Sequence, residues 1–543
     1  MVSDRRSPAW WQRVALPAMI AAFVLLAWLN RFIQDDAFIS FRYAHNLARG
    51  LGLVWNPGER IEGYTNFLWT LVMAVPHVAG TNPVVFSFGL GLVLFGISLY
   101  LTYRVAALIL ASPGRGLLAV LLLGTNYTFS AFATSGMETQ LQACLFVLAV
   151  FVLLHGDAGS GWFTGRLALL SSVLGLAMLT RPDSALLAMV LLPVAFSRTR
   201  ATKPARALNL VALLLPFFAL VGAWLVWKLF YYGNLLPNTF YAKAPTPISL
   251  LRGCYYFALF GGSYLFVVLL PLGFSAARRL LSGRAVAPRV LLILTAVWFG
   301  YVLSFGGDFM EFRMLVPVLP FLFILIVWAL FDIVANRTMR TVLLALVVAG
   351  SFLHAVWYGK GLLKRDPESV GQLAGHLTGP DQNWVGIGRA LGQAFGPNSD
   401  VVIATTAAGA IPYYSGMRTV DMLGLNDPWV ARNGRLLRPR AGHRRAATLE
   451  YLVQRRVNLV IGHPTLVDSD SAAAAVEPAA FIPGFRDTDD IPDSARIVEI
   501  PIDCGYRLVA LYLTPSARAD SVIAARRWRV RPVRLPTGLR QLP

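Results

Sequence analysis

Asp35 and Asp36 stand side by side in the run Ile33-Gln34-Asp35-Asp36-Ala37-Phe38, directly after the first long apolar stretch of the chain. Two carboxylates at the edge of a bilayer are costly unless they face water, a substrate or a metal. One of them, within hydrogen-bond reach of a hydroxyl, can take its proton as a general base. The other could orient that hydroxyl, raise its neighbour's pKa through like charge, or help to hold a divalent cation. Capping is the structural alternative, because Asp is a favoured helix N-cap; two adjacent acids exceed what a cap needs. Positive charge suited to a phosphate is offered by Lys243, Arg313, Arg181 and Arg42, since fixed donors stabilise developing negative charge. Each could instead snorkel into headgroups at the end of a span, and Arg181 could simply pair with Asp183 across Pro182. Asn238 and Tyr241, in the loop that Lys243 closes, could bind hydroxyls. Glu138 suits a site or a helix N-terminus equally. His354, His376, His443 and His463 show no metal-ligand spacing. No cofactor is required, and a divalent cation is the one that remains open.

These residues must be held by a largely apolar scaffold. The 543 residues are 56% hydrophobic and 14% charged, with a mean hydropathy of +0.59, which is too apolar for an ordinary soluble protein. Apolar stretches of about 20 residues, each long enough to cross about 30 Å of hydrocarbon, recur as far as Gly359. We expect spans near 14–33, 83–103, 116–134, 138–155, 166–180, 184–197, 207–229, 254–274, 288–305, 313–334 and 340–358, about eleven crossings by length and charge bias. Arg5, Arg6 and Arg13 precede the first, which reads as an uncleaved anchor.

The net charge of +20 is a topology signal rather than a nucleic-acid footprint. With the N-terminus inside, Arg104 and Arg115, then Arg198, Arg200, Lys203 and Arg206, then Arg278, Arg279, Arg284 and Arg289, and lastly Arg337 and Arg340 fall on cytoplasmic turns, as the positive-inside rule asks. Before residue 360 only Asp4, Asp157 and Asp332 fall on that side. Asp35, Asp36, Glu59, Glu62, Glu138, Asp183, Asp308 and Glu311 gather on the outer side, where a polar active site would place them. The expected setting is a bacterial plasma membrane, with the C-terminal part extracytoplasmic.

Two further helices are expected in the outer segment 34–82. One puts Arg42, His45, Asn46 and Arg49 on a single polar face, and the other covers residues 66–78; both would lie in the interface. After residue 360 the composition turns polar. Residues 401–404, 457–461 and 508–513 read as strands and 449–455 as a helix, so residues 360–543 form an α/β domain. No glycine fingerprint for a nucleotide is present. Asp421, Asn426 and Asp427 read as turn chemistry before acceptor contacts. Arg526, Arg527, Arg529, Arg531 and Arg534 form a basic tail suited to anionic headgroups. The three cysteines, Cys144, Cys254 and Cys504, offer no disulfide framework.

Several segments taken in order resemble one family. They are Asp35-Asp36-Ala37-Phe38-Ile39, the run from Trp55 to Asn66, Thr134-Ser135-Gly136-Met137-Glu138-Thr139, the run from Gly233 to Lys243, Gly306-Gly307-Asp308-Phe309-Met310-Glu311-Phe312-Arg313, and the run from Val420 to Asp427. Together they resemble the GT-C superfamily of glycosyltransferases, which use sugars carried on polyprenyl phosphates or diphosphates. Within it they are similar to the mycobacterial cell-wall enzymes that add terminal arabinofuranose. The resemblance implies a transmembrane catalytic part, residues 1–359, followed by the domain 360–543. It implies a polyprenyl-phosphate-linked sugar donor and a glycan or glycolipid acceptor, with no nucleic acid. Glu62, Asn66, Glu138 and Asp308 then join Asn238 and Tyr241 as expected sugar or acceptor contacts. With a single carboxylate as base, the acceptor hydroxyl would displace the lipid phosphate directly, with inversion. Two other readings compete. A transporter or flippase would carry ionisable groups near mid-bilayer and paired broken helices; a non-catalytic assembly protein would have no need of both Asp35 and Asp36.

Overall fold

The computed structural model describes residues 10–155, 163–199, 206–243, 248–283, 285–361, 366–397, 399–440, 443–468, 480–486, 491–502 and 505–533. Asp4, Arg5, Arg6, Asp157, Arg200, Lys203, Arg284, Cys504 and Arg534 lie outside them. Among the described residues five helices are long and apolar enough to cross a membrane: Pro83–Leu110, Arg206–Tyr232, Val286–Phe305, Arg313–Asp332 and Arg337–Gly359. Shorter apolar helices, among them Val14–Leu29, Pro113–Thr125, Thr139–Leu154 and Thr164–Thr180, pack with them. Phe230, Val78, Leu251 and Phe274 leave most of their surface outside the protein, an arrangement that only a hydrocarbon solvent tolerates on this scale. The chain is a multi-pass membrane protein.

Local sequence explains where these helices start and stop. Asn82 accepts from the Val84 and Val85 amides ahead of Pro83, Asn126 caps Tyr127–Ala131, and Asn336 caps Arg337–His354, each satisfying amides that have no partner inside the helix. The stretch expected as one span over 254–274 is two helices, Ser249–Ser263 and Phe266–Ser282, meeting at 93°. Leu265 there takes the left-handed conformation, φ 59°, which no α-helix continues through. Likewise the expected span 116–134 breaks at Asn126, whose extended backbone separates Pro113–Thr125 from Tyr127–Ala131.

The polar part carries a seven-stranded sheet. Thr419–Asp421, Ile403–Thr405 and Leu459–Gly462 run parallel; Tyr506–Tyr512, Arg496–Ile502 and Arg529–Pro532 continue antiparallel, and Leu466–Asp468 also pairs with Tyr506–Tyr512. Ile403 is in register with Thr419 on one side and Leu459 on the other. The three parallel strands are buried throughout, as parallel sheets require. Asp421 accepts from the Leu423, Gly424 and Asn426 amides and Asp427 caps Pro428–Asn433, so these acids do turn chemistry.

The helix Asp35–Ala48 lies between the two parts, against Phe67–Val78 on one side and against Ala410–Ser415 and Val370–Thr378 on the other. Ten of its fourteen residues are buried. It is therefore roofed by helices of the polar C-terminal part, and the polar face expected at the interface is covered where Arg42 and Asn46 stand.

Candidate active site

A cleft of about 310 Å³ opens where the outer loops of the helical part meet the roof. Asp36 and Ser40 project into it one helical turn apart, and Asn66 and Glu138 reach it from the starts of Phe67–Val78 and Thr139–Leu154. Arg181 and Asp183 come from the turn after Phe163–Thr180. Lys243 follows the short helix Asn238–Ala242, and Asp308 and Arg313 flank the end of Val286–Phe305. Gly306 and Gly307 make that last turn with φ of 87° and 76°. A Cβ on Gly307 would sit 2.5 Å from Tyr256, so only glycine lets Asp308 swing over the cleft.

Most of the charges in the cleft are already matched. Arg181 bridges Glu138 at 2.8 Å and Asp183 at 2.7 Å. Glu138 also accepts from Asn66 Nδ2 at 2.8 Å, while Asn66 exchanges hydrogen bonds with Ser40. Arg313 holds Asp308 at 2.7 Å and turns Nη1 toward Met137 Sδ. Two charges remain. Among the described residues Asp36 makes neither a hydrogen bond nor a salt bridge, and the same is true of the Lys243 ammonium; both line the cleft. Burial pushes the Asp36 carboxyl above its ordinary value, although Lys243 and Arg313 pull it back. Burial likewise lowers Lys243, against the pull of Asp36 and Asp308. A carboxylate made more basic, facing cations that a phosphate could occupy, is an arrangement suited to proton abstraction beside an anionic leaving group.

Five of the expected site residues stay outside the cleft. Asp35 accepts instead from the Gly409 and Ala410 amides at 3.1 and 2.8 Å and is 6% exposed. A Cβ on Gly409 would stand 1.9 Å from the Asp35 carbonyl oxygen, so the close approach of the two elements depends on that glycine. Burial raises the Asp35 carboxyl to about 7. Arg42 lies about 240° round the helix from Asp36. It donates to Trp55 O at 2.7 Å, Met417 O at 2.7 Å, Asn56 Oδ1 at 3.1 Å and Pro412 O, tying the helix to the roof. Glu62 pairs with the buried Lys228 at 2.8 Å. Asn238 donates to Gly424 O and Leu425 O at 2.8 and 3.1 Å. Tyr241 lies beneath the Arg432 guanidinium at 4.1 Å. Asn238 thus reaches the cleft indirectly, by fixing Leu425 in its roof.

Ser40, Tyr301 and Leu425 line the cleft without having been expected there. Ser40 was within reach of sequence reasoning, four residues beyond Asp36 and so on the same helical face; nothing in the local sequence marks Tyr301. Among the described residues no group of three or more His, Cys, Asp or Glu is placed to hold a metal ion. The carboxylates that flank Asp36 already hold guanidinium groups.

A family model described as a domain of unknown function (DUF8728) matches residues 375–524. Over 350 residues the chain is 28% identical to the terminal beta-(1->2)-arabinofuranosyltransferase of Mycobacterium tuberculosis, which is 56% of this chain and 54% of that protein. The enzyme of the same name from Corynebacterium glutamicum is 30% identical over 359 residues, 58% of this chain and 49% of its own. The chain spans about half the length of these curated relatives. Among solved structures, ArnT from Cupriavidus metallidurans bound to undecaprenyl phosphate superposes with a TM-score of 0.52 at 15% identity, covering 76% of this chain and 86% of that one. The chain thus has the GT-C fold and is similar in sequence to the terminal arabinofuranosyltransferases.

Proposed function

We propose that the chain is an inverting membrane glycosyltransferase that moves a single sugar from a polyprenyl-phosphate donor to a glycan or glycolipid at the outer surface. The observation that carries this reading is Asp36, a carboxylate without an ion pair in a cleft whose other acids are held by arginines. Asp36 takes the proton of an acceptor hydroxyl as its oxygen attacks the anomeric carbon. The bond from that carbon to the phosphate oxygen breaks, and its electron pair leaves on the lipid phosphate. Lys243 and the free edge of Arg313 receive the growing phosphate charge, which favours the transition state over the bound donor. A base on the face opposite departure gives inversion. Arg181 holds Glu138 and Asp183, and through Glu138 it fixes Asn66 and Ser40 as hydroxyl contacts.

The names of the curated relatives support arabinofuranose as the sugar, and the polyprenyl phosphate in ArnT supports the lipid carrier. The N-terminus is cytoplasmic and the C-terminal domain extracytoplasmic in this reading. The test is transfer from a synthetic polyprenyl-phosphate arabinofuranose to an arabinan oligosaccharide by the purified chain in nanodiscs. A new linkage of inverted configuration is expected. Labelled donor that stays intact beside wild-type protein of proven integrity would overturn the sugar assignment. Transfer from no polyprenyl-phosphate sugar at all would overturn the activity.

A further inference from the structure

A second cleft, of about 360 Å³, lies on the other face of the Asp35–Ala48 helix, between that helix and the Trp384–Phe395 and Ala410–Ser415 helices of the roof. Asp36 and Ser40 face the first cleft; Arg42, His45 and Arg49 face this one. Its chemistry is different. No acidic residue lines it among the described residues, and two guanidinium groups at its mouth have no carboxylate partner there. Among the described residues the Arg49 guanidinium has one hydrogen-bond contact, with His45 Nε2 at 3.5 Å. Arg389 lies over the Tyr414 ring at 5.0 Å. Arg526 adds a third cation at the rim, donating to Gln393 O at 2.9 Å.

The place of this cleft in the fold indicates what fills it. Tyr413 in its wall contacts His77 Nε2 at 3.1 Å. His77 belongs to the Phe67–Val78 helix, whose Val75 and Val78 are 54% and 75% exposed. Five residues later the long span Pro83–Leu110 begins, and Leu51, at the lip of the cleft, is also exposed. The mouth therefore stands beside exposed apolar side chains, near the start of a helix of membrane-crossing length, which is where a span beginning at Pro83 would meet the headgroup layer. Guanidinium forks bind phosphate oxygens two at a time, and tyrosine suits the same half-wet layer.

We propose that this cleft binds the phosphate of an anionic membrane-lipid headgroup, separately from the sugar donor, with Arg49 and Arg389 as its ligands. Such a lipid would rest on the helix that carries Asp36 and on the roof together. The proposal does not depend on which sugar is transferred.

The experiment is native mass spectrometry of the full chain, released from nanodiscs of phosphatidylcholine with or without phosphatidylglycerol. Retained phosphatidylglycerol is expected for the wild type, with affinity falling about tenfold for each guanidinium removed in Arg49→Gln and Arg389→Gln. The Arg49→Lys and Arg389→Lys variants should keep most of the binding. Equal retention by the double glutamine variant and the wild type would overturn the proposal, as would equal retention of the two lipids. Glycerol 3-phosphate carries the phosphate without acyl chains and should compete poorly. If it displaces phosphatidylglycerol at equal concentration, the occupant is a soluble phosphate ester and the lipid assignment falls. Should the double variant not fold, Arg389→Gln alone, at an exposed helix position, carries the same comparison.

Discussion

Replacing Asp35 should damage the joint between helix and roof rather than the chemistry, and it should do so in a pH-dependent way. Its carboxylate accepts from the Gly409 and Ala410 amides. Asp35→Asn keeps one acceptor oxygen and turns an NH₂ toward the other donor. A buried amide left unsatisfied costs about 1–3 kcal/mol, so Asp35→Asn should destabilise the docked state by about that much, and Asp35→Ala, which strands both amides, by about twice as much. Burial raises the folded-state pKa of this acid from 3.8 to about 7. A raised pKa means that the folded state holds the proton more tightly. That contribution is complete below 3.8 and is lost as the pH rises to about 7. The rise from 3.8 to about 7 sets its ceiling at ~4 kcal/mol. The stability gap between wild type and Asp35→Asn should therefore narrow as the pH rises through this window. Thermal unfolding followed by tryptophan fluorescence in nanodiscs, at both ends of the window, measures the gap. A gap that stays constant, or an Asp35→Asn protein of unchanged stability that has lost transfer, would refute the reasoning.

Other outcomes separate the two cleft cations, the titrating groups and the topology. Lys243→Met should lower donor affinity and single-turnover rate while leaving the unfolding temperature in place, because Lys243 has no ion-pair partner among the described residues; binding assays and calorimetry check this. Arg313→Met should lower both and also destabilise by about 1–3 kcal/mol, since it leaves the half-buried Asp308 carboxylate without its partner. The pH–rate profile should be bell-shaped. Its acid limb should lie above the ordinary aspartate value, because Asp36 is raised from 3.8 and is inactive when protonated. Its alkaline limb should lie below 10.5, because Lys243 is lowered and loses its charge there; the residual rate of Lys243→Met should lack that limb. Alkaline phosphatase fused after residue 360 should be active outside the cytoplasm, and a fusion near Arg200 should not.

Much of the scaffold was legible because its signals are local. Valine and isoleucine runs bounded by turns marked the strands Ile403–Thr405, Leu459–Gly462 and Tyr506–Tyr512. Asp421 and Asp427 were legible as turn chemistry because the backbone amides they accept from lie within five residues; the Tyr451 hydroxyl that also reaches Asp427 was not. One member of the Asp35-Asp36 pair lines the cleft, yet the sequence could not say which carboxylate would face it. Neighbours on a helix point about 100° apart, and the amides that claim Asp35 lie more than 370 residues further on. Arg42 was misleading for the same reason, since its acceptors Pro412 and Met417 belong to the roof. Glu62 and Tyr241 were taken up by Lys228 and Arg432, partners that no spacing announces. The right-angle bend at Leu265 sits inside Tyr264-Leu265-Phe266-Val267, which reads as unbroken apolar helix; packing decided it, not propensity.

The central claim is that Asp36 alone of the acidic pair is the base. The most direct measurement is the single-turnover rate of sugar transfer by Asp36→Asn and Asp35→Asn, each in nanodiscs with saturating donor and compared with wild type. An amide keeps the shape of Asp36 but takes no proton, and losing a general base costs about 10²–10⁴ in rate. The account predicts that loss for Asp36→Asn with an unchanged unfolding temperature, and a rate within a few-fold of wild type for folded Asp35→Asn. Near-normal turnover by Asp36→Asn would contradict it.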